Sequence, residues 1–128
     1  MTIRFARPTD RLDEVVRFYE EGLGLERIGE FDDHAGYSGV ILGLPGRDVQ
    51  LELLTHEDGS PGEAPSAENL LVLYLGGAAA RDRAAERLRA LGSEPVPAEN
   101  PWWDGLAALT FADPDGWRVV LVPRAWGG

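Results

Sequence analysis

Alternation of apolar and polar residues marks most of the segment at residues 1–56 as β-strand, interrupted by one interval of helical spacing. The alternating runs predict strands at residues 2–7, 25–31, 38–44 and 49–54. The helical spacing i, i+3, i+4, i+7 is occupied by Leu12, Val15, Val16 and Tyr19. Thr9 or Asp10 can cap this helix and Gly22 or Gly24 can end it, which predicts a helix over residues 10–22.

The second half of the chain shows the same order of patterns. Residues 78–91 combine strong helix formers with one apolar face, and Gly92 ends the run. Strands are predicted at residues 70–75, 94–96 (a weak pattern), 106–112 and 117–122. Between the halves, residues 57–68 are acidic and rich in Gly, Pro and Ser, which is typical of a flexible connector. The sequence DPDG predicts a tight turn before the last strand.

The two halves match each other when the chain is shifted against itself by one constant offset. At the offset that places Leu23-Gly24 on Leu91-Gly92, the two helix ends coincide and Leu51 falls on Val119. We interpret the chain as a single domain, residues 1–128, built from two βαβββ modules at 1–56 and 69–124 that the connector 57–68 joins. This α+β architecture is expected to pack the apolar sheet faces under the helices and to curve the opposite faces around a cleft.

Glu52 lies inside a run that otherwise predicts a buried strand. Side chains alternate along a strand, so Leu51 and Leu53 share the core face while Glu52 faces the other way. A carboxylate among leucines is costly unless a partner is present, and Arg4, on the same predicted face, is expected to pair with it. The residues predicted to contact a ligand from this face are Arg4, Glu52, Leu54, Val72, Tyr74 and Val120.

Two adjacent tryptophans, Trp102 and Trp103, lie in the loop PAENPWWDG. Neighbours in an extended chain point in opposite directions, so one ring can be buried while the other is exposed. Either ring can join the ligand-binding surface, or both can close the end of the core; the sequence leaves the two interpretations open. Trp126 is predicted to anchor the C-terminal tail or to take part in a subunit contact.

Composition and charge narrow the classes of partner. The chain has no cysteine, which excludes disulfides and Cys-based zinc sites. Its net charge of −10 disfavours binding to nucleic acid, which needs a positive surface. No apolar run reaches the ~20 residues that span a bilayer, and the N-terminus lacks a signal-peptide core, so we expect a cytoplasmic protein with no membrane partner.

Several segments together resemble the vicinal oxygen chelate superfamily, which contains glyoxalase I, extradiol dioxygenases, fosfomycin-resistance enzymes and bleomycin-resistance proteins. The segments are RFYEEGLGLE (17–26), LEL (51–53), RLRALG (87–92) and DPDGWRVVLV (113–122). More narrowly, ARPTDRLDEVVRFYEEGLGLERIGEF, GLPG and ENPWWDG resemble the YycE-like bacterial proteins. The resemblance implies the glyoxalase/bleomycin-resistance fold. In that superfamily modules often complete the cleft across a dimer, so we expect a homodimer.

Metal-dependent members of the superfamily place one ligand on each of four strands. The resemblance puts these positions on Arg4, Glu52, the vicinity of Leu70, and Val120. An arginine has no lone pair to donate, and Leu and Val have no donor atom, so we predict that no metal binds there. His56 shares the face of Glu52 but lies about 13 Å along the strand. Asp32, Asp33 and His34 are interpreted as solvated turn residues rather than a cation site.

The function predicted from these features is binding of a small molecule, aromatic or cationic, without a metal, cofactor or covalent step. In the alternative, the chain is a lyase, isomerase or dioxygenase of the same superfamily, and Glu52 is its catalytic residue with or without a divalent metal. A third hypothesis is an interaction or scaffold protein whose cleft is vestigial. The sequence names no ligand.

Overall fold

The computed structural model describes residues 1–127, which divide into two compact units. The first unit is Met1–Glu63 and the second begins at Ala64. The boundary between them lies within residues 57–68, the segment predicted as a connector. Among the helices of residues 1–127, none has the length and apolar character needed to cross a membrane.

The first unit has the predicted order of strand, helix and three strands. Its elements are β1 (Ile3–Pro8), α1 (Leu12–Arg17), a π-helical turn (Phe18–Gly22), β2 (Glu26–His34), β3 (Tyr37–Gly43) and β4 (Val49–His56). Within residues 1–63 the strands form a four-stranded sheet in the order β1-β4-β3-β2. β1 runs parallel to β4, and the other neighbours are antiparallel.

The first helix begins later than predicted because its two candidate caps have other roles. The hydroxyl oxygen of Thr9 accepts a hydrogen bond from the backbone N–H of Arg11 at 2.9 Å, ahead of the first helical residue. The carboxylate of Asp10 accepts from the backbone N–H of Ser60 instead. The helix then widens in its last turn, where the N–H of Leu23 donates to the carbonyl of Phe18, five residues earlier.

The predicted flexible connector is held against the first unit at its start. The backbone N–H of His56 donates to the Ser60 hydroxyl at 2.6 Å, and Ser60 is buried. Gly62 lies so close to the end of β1 that a Cβ placed on it would fall 1.9 Å from the carbonyl oxygen of Pro8. A glycine is therefore required at this point, and the segment is fitted to β1 rather than loose.

The second unit repeats the arrangement in a reduced form. Its elements are β5 (Leu70–Tyr74), α2 (Ala78–Ala90), a short α3 (Trp102–Gly105), β6 (Leu109–Ala112) and β7 (Arg118–Val122). Within residues 64–127 the strands form a three-stranded sheet in the order β5-β7-β6. The strand predicted at 94–96 is reduced to a single bridge between Val96 and Thr110. Pro95 and Pro97 flank Val96, and neither can donate a ladder hydrogen bond.

The core of the first unit lies between its helix and the predicted face of its sheet. Leu51 and Leu53 of β4 are buried, and α1 packs over this strand. Arg7 shares that face and is also buried, with its guanidinium carbon 5.8 Å from the Tyr19 ring centroid. Ile3 and Phe5, on the same face of β1, remain more than half exposed. The sequence predicted their burial, but β1 is an edge strand and the helix covers its neighbour.

The internal repeat is not constant in its spacing. Ile3 pairs with Val49 in the first unit, and Leu71, which the constant offset places on Ile3, pairs with Val119 in the second unit. The partners of the second pair lie farther apart along the chain than those of the first, so no single offset superimposes both pairs of strands. The difference is an even number of positions. It therefore keeps every side chain on its predicted face, because the alternation along a strand has a period of two.

Candidate functional site

Arg4 and Glu52 are brought together by the parallel pairing of β1 with β4. In this register Arg4 lies beside Gln50, and Ala6 lies beside Glu52. Laterally paired residues point to the same side of a sheet, so all four share the face opposite the core. Glu52 therefore lies two residues along β4 from Gln50, the residue beside Arg4, and the long arginine side chain can reach it.

The side chain of Arg4 bonds both polar residues of β4. Its Nε donates to Oε1 of Gln50 at 2.9 Å, and its Nη1 donates to Oε1 of Glu52 at 3.2 Å. The predicted ion pair is confirmed. Only one hydrogen bond joins Arg4 to Glu52, because the guanidinium is shared between Gln50 and Glu52. The sequence analysis did not assign this role to Gln50.

The two charges differ in their exposure. The Glu52 side chain is 14% exposed, whereas the Arg4 side chain is 46% exposed. The carboxylate is therefore largely shielded beneath a guanidinium that faces outward. The charge-assisted hydrogen bond from Arg4 offsets the free-energy cost of shielding the Glu52 carboxylate from water.

Apolar groups surround this row of polar residues on the same face. Ile41 pairs directly with Glu52 across β3, and Leu54 follows two residues along β4. The Phe31 ring lies over Gly39, because a Cβ on that glycine would fall 2.7 Å from the ring Cζ. Ile41, Leu54 and Phe31 are all partly exposed. The face thus offers apolar contact area beside the Arg4 guanidinium.

A cavity opens at the end of this face where β2, β3 and β4 meet the loop of residues 44–48. Its volume is about 540 Å³, within the range of ~300–1,000 Å³ that is usual for small-molecule sites. Its lining includes Ile28, Gly43 and Gln50. Gln50 is also the partner of Arg4, so the cavity adjoins the polar row. Sequence reasoning missed this cavity, which depends on side chains of separate strands.

The residues present do not suit a metal ion. Arg4 occupies the first family position and donates to Glu52, so a cation at that carboxylate would meet the guanidinium charge. Within residues 1–127 no group of three His, Cys, Asp or Glu side chains converges. His56 Nδ1 accepts from the backbone N–H of Asp58 at 3.0 Å, and the Tyr37 ring packs against the imidazole.

The surface candidates near His34 form local contacts. Asp32 accepts a hydrogen bond from the Ser38 hydroxyl at 2.9 Å across the β2–β3 hairpin. His34 and Asp33 are exposed at its tip. Their exposure fits solvated residues, but the prediction that they lie in the turn is wrong, because β2 extends to His34 and the turn is residues 35–36.

The remaining predicted site residues belong to the second unit, and they differ in their exposure to solvent. Val72 and Tyr74 of β5 are partly exposed, and the Tyr74 ring contacts the edge of Trp126 at 5.4 Å between centroids. Val120 is completely buried and offers no surface to a ligand in this structure. The placement of Val120 on an open wall therefore does not match its burial: Val119, on the opposite face of β7, is equally buried, so both faces of this strand are covered. Trp126 reaches Tyr74 but stays 81% exposed.

The two adjacent tryptophans lie on a helical turn rather than an extended loop. Trp102 and Trp103 open α3, so the alternation expected of an extended chain does not apply. Even so, Trp102 is 63% exposed and Trp103 is partly buried. The indole Nε1 of Trp103 is buried with no acceptor among the described residues. Of the two, Trp102 presents more surface.

A second charged group lies away from this face, between the π-helical turn and β2. Arg27 donates to both oxygens of Glu20, at 2.8 and 2.9 Å, and to Glu30 at 3.1 Å. The hydrogen bonds from Arg27 hold the pKa of the Glu20 carboxyl below its usual range, against a smaller opposing effect of burial.

The whole chain is similar to proteins of one bacterial group. The sequence matches the YycE-like N-terminal domain over residues 3–54 and the YycE-like C-terminal domain over residues 68–123. The YycE protein of Bacillus subtilis (strain 168) is 48% identical over 120 residues, which make up 94% of this chain and 86% of that protein. A crystal structure of YycE from Bacillus subtilis has a TM-score of 0.91 at 45% identity and covers 99% of this chain and 93% of that one.

More distant structures share the fold. The trypanothione-dependent glyoxalase I of Leishmania major has a TM-score of 0.72 at 19% identity, covering 96% of this chain and 86% of that one. TnmS3, an antibiotic binding protein from a Streptomyces species, has a TM-score of 0.66 at 21% identity, covering 98% and 96%. Such low identities show the fold alone, and they confirm the predicted glyoxalase-type α+β architecture.

Proposed function

Because the chain belongs to the YycE-like family of the vicinal oxygen chelate superfamily, we propose that it binds a small molecule on the Arg4–Glu52 face of its first unit. Binding takes place without a metal ion and without a covalent step. The ligand has a flat apolar part that lies against the face and the adjoining cavity. The fold alone does not assign this activity, since one fold serves many functions.

One observation carries this proposal: a half-exposed guanidinium stands beside partly exposed apolar side chains and an open cavity. The cavity adjoins Gln50, which in turn holds Arg4. Small-molecule sites are typically concave and apolar with a few fixed polar groups, and this face supplies both components. Gln50 and Glu52 restrain Arg4, which lowers the entropy cost of using it in recognition.

The enzyme alternative receives less support from the same geometry. A carboxylate acting as general base must reach the proton that it removes. The Glu52 side chain is 14% exposed and already accepts from Arg4. An acid–base role would require the arginine to leave its partner, and a metal-dependent role would require the ligands that the chain lacks at the family positions.

Binding can be tested by NMR titration of the ¹⁵N-labelled full chain, freed of metal, with naphthalene derivatives as flat probes. We expect saturable shifts in β1, β3 and β4 that include Gln50 and Glu52. Ile28→Ser should weaken binding about tenfold, since a buried apolar side chain contributes roughly 1.5–3 kcal/mol. Ile3→Ser is the matched control, because Ile3 is equally exposed (51% against 49%) but lies on the opposite face of the sheet. Since Ile3 also lies on the predicted dimer surface, light scattering confirms that both variants have the same assembly state before their affinities are compared.

Shifts that do not saturate, or that map away from these strands, would overturn the proposal. Equal loss of affinity in Ile28→Ser and Ile3→Ser would also count against it, because only Ile28 lines the cavity.

A further inference from the structure

Of the two charges paired on this face, the cation is the more exposed, although the protein as a whole carries −10. The Glu52 side chain is 14% exposed, while the side chain of Arg4, its partner, is 46% exposed. A ligand approaching the face therefore meets Arg4 before Glu52. A cationic ligand, which the sequence allowed, would face the guanidinium first and would have to displace it.

Arg4 also retains hydrogen-bond donors that the protein does not use. A guanidinium has five N–H groups, and the structure shows Nε bonded to Gln50 and Nη1 bonded to Glu52. Within residues 1–127 the Nη2 atom has no bonded partner. Two N–H groups on one nitrogen thus remain available on a side chain whose position is already fixed. Such donors suit an oxyanion, with which charge-assisted hydrogen bonds are stronger than neutral ones.

We infer that the ligand carries an anionic oxygen group, such as a carboxylate, next to its flat apolar part, and that Nη2 of Arg4 binds this group. The inference rests on the proposed function and adds the chemical class of the ligand. Gln50 and Glu52 are positioning residues: they hold the guanidinium and do not touch the ligand. The apolar part lies toward Ile41 and the cavity beyond Gln50.

The net negative charge of the protein does not prevent Arg4 from binding an anionic group of the ligand. At 0.15 M salt the screening length is about 8 Å, so distant carboxylates act weakly at the site. The carboxylates that line the nearby cavity are Glu26 and Asp48, and Arg47 lines it as well. The anionic group is therefore expected at the Arg4 end of the face, with the apolar part toward the cavity.

The test compares three probes of one shape with the full chain at 0.15 M salt: 1-naphthoate, 1-naphthamide and 1-naphthylmethylammonium. We expect 1-naphthoate to bind about tenfold more tightly than 1-naphthamide, which corresponds to one charge-assisted hydrogen bond. The ammonium probe should bind most weakly. Arg4→Met should remove the preference for the anion. Arg83→Met, which removes the same charge from an exposed position on α2, should keep it.

The outcomes separate this inference from the proposed function. Equal affinity for 1-naphthoate and 1-naphthamide would overturn the inference and leave small-molecule binding intact. Failure of all three probes to bind would overturn both. An anion preference that survives in Arg4→Met would place the recognition elsewhere and overturn the inference. If that variant does not fold, the side-chain N–H resonances of Arg4 are followed by NMR in the unmodified protein during titration with 1-naphthoate. We expect the probe to shift these resonances, and unchanged resonances would refute its contact with Arg4.

Discussion

Nη1 of Arg4 lies 3.2 Å from Oε1 of Glu52, across two neighbouring parallel strands. This contact puts a protein cation at the carboxylate onto which the family resemblance maps a metal ligand. The positive charge is covalently attached to β1, so it is present without any bound ion. The same contact leaves the Arg4 side chain partly exposed, and we propose that its guanidinium recognises the ligand.

Removing Arg4 should cost more stability than neutralising Glu52. Arg4→Met leaves a shielded carboxylate without its partner, a loss of about 1–2 kcal/mol given that the guanidinium is half exposed. In Glu52→Gln the amide oxygen still accepts from Arg4, so the loss should stay below ~1 kcal/mol. Urea unfolding of both variants measures the difference. A larger loss in Glu52→Gln would contradict the view of Glu52 as a carboxylate held by Arg4.

Gly62→Ala should destabilise the protein through a direct backbone clash. The added Cβ would fall 1.9 Å from the Pro8 carbonyl oxygen, and a backbone atom cannot move aside as a flexible side chain does. We expect a loss of about 2 kcal/mol, in the range of overpacked sites, by thermal or urea unfolding. Gly76→Ala is the control, since nothing lies within 4 Å of its Cβ position. Equal stability of the two variants would show that residues 57–62 are as flexible as the sequence suggested.

The ion pair of Glu20 with Arg27 should make stability depend on pH in the acidic range. The folded pKa of Glu20 lies below its unfolded value, so its contribution is fully present above the unfolded pKa and is lost as pH falls through the folded pKa. At pH 7, Glu20→Gln should lose roughly 0.5–1 kcal/mol, and the loss should vanish under acidic conditions.

Glu21→Gln is the control for this measurement. Glu21 contacts Arg17 at 3.7 Å, and both side chains are more than half exposed. Its substitution should change stability little at any pH. A difference between Glu20→Gln and the unmodified protein that stays constant with pH would contradict the assigned role of the Arg27 hydrogen bonds.

Much of the fold is predictable from sequence because local patterns and register determine it. The alternation around Glu52 correctly placed Leu51 and Leu53 in the core, and the same alternation placed Arg4 on the face of Glu52 once β1 and β4 paired. The prediction of a strand at 94–96 was wrong because two prolines limit the ladder there to one bridge at Val96. These outcomes depend on backbone chemistry that the sequence displays directly.

The finer features of the candidate site were harder to predict from the sequence. Whether Arg4 would bond Glu52 with two atoms or divide its fork with Gln50 depends on side-chain torsions that no spacing reveals. The complete burial of Val120 reflects the covering of both faces of β7, since Val119 is equally buried, and alternation along the strand did not indicate this. The first helix begins later than predicted because the Asp10 carboxylate accepts a hydrogen bond from the backbone N–H of Ser60, which is distant in sequence.

We also predict that the chain forms a homodimer. Ile3 and Phe5 are 51% and 59% exposed on one face of an edge strand, an apolar surface that association would remove from water. Light scattering coupled to size exclusion should give twice the mass of one chain at micromolar concentration. Phe5→Ser should shift the equilibrium toward the monomer. A monomer at all micromolar concentrations would contradict the prediction.

The most direct test of the central claim is a crystal structure of the protein with 1-naphthoate. The account predicts the carboxylate of the probe within ~3.2 Å of Nη2 of Arg4, with the Arg4–Glu52 contact intact and the naphthalene ring against the apolar face. A metal ion within ~2.5 Å of a Glu52 oxygen, with Arg4 turned away, would contradict it. So would a probe bound elsewhere while this face stays empty.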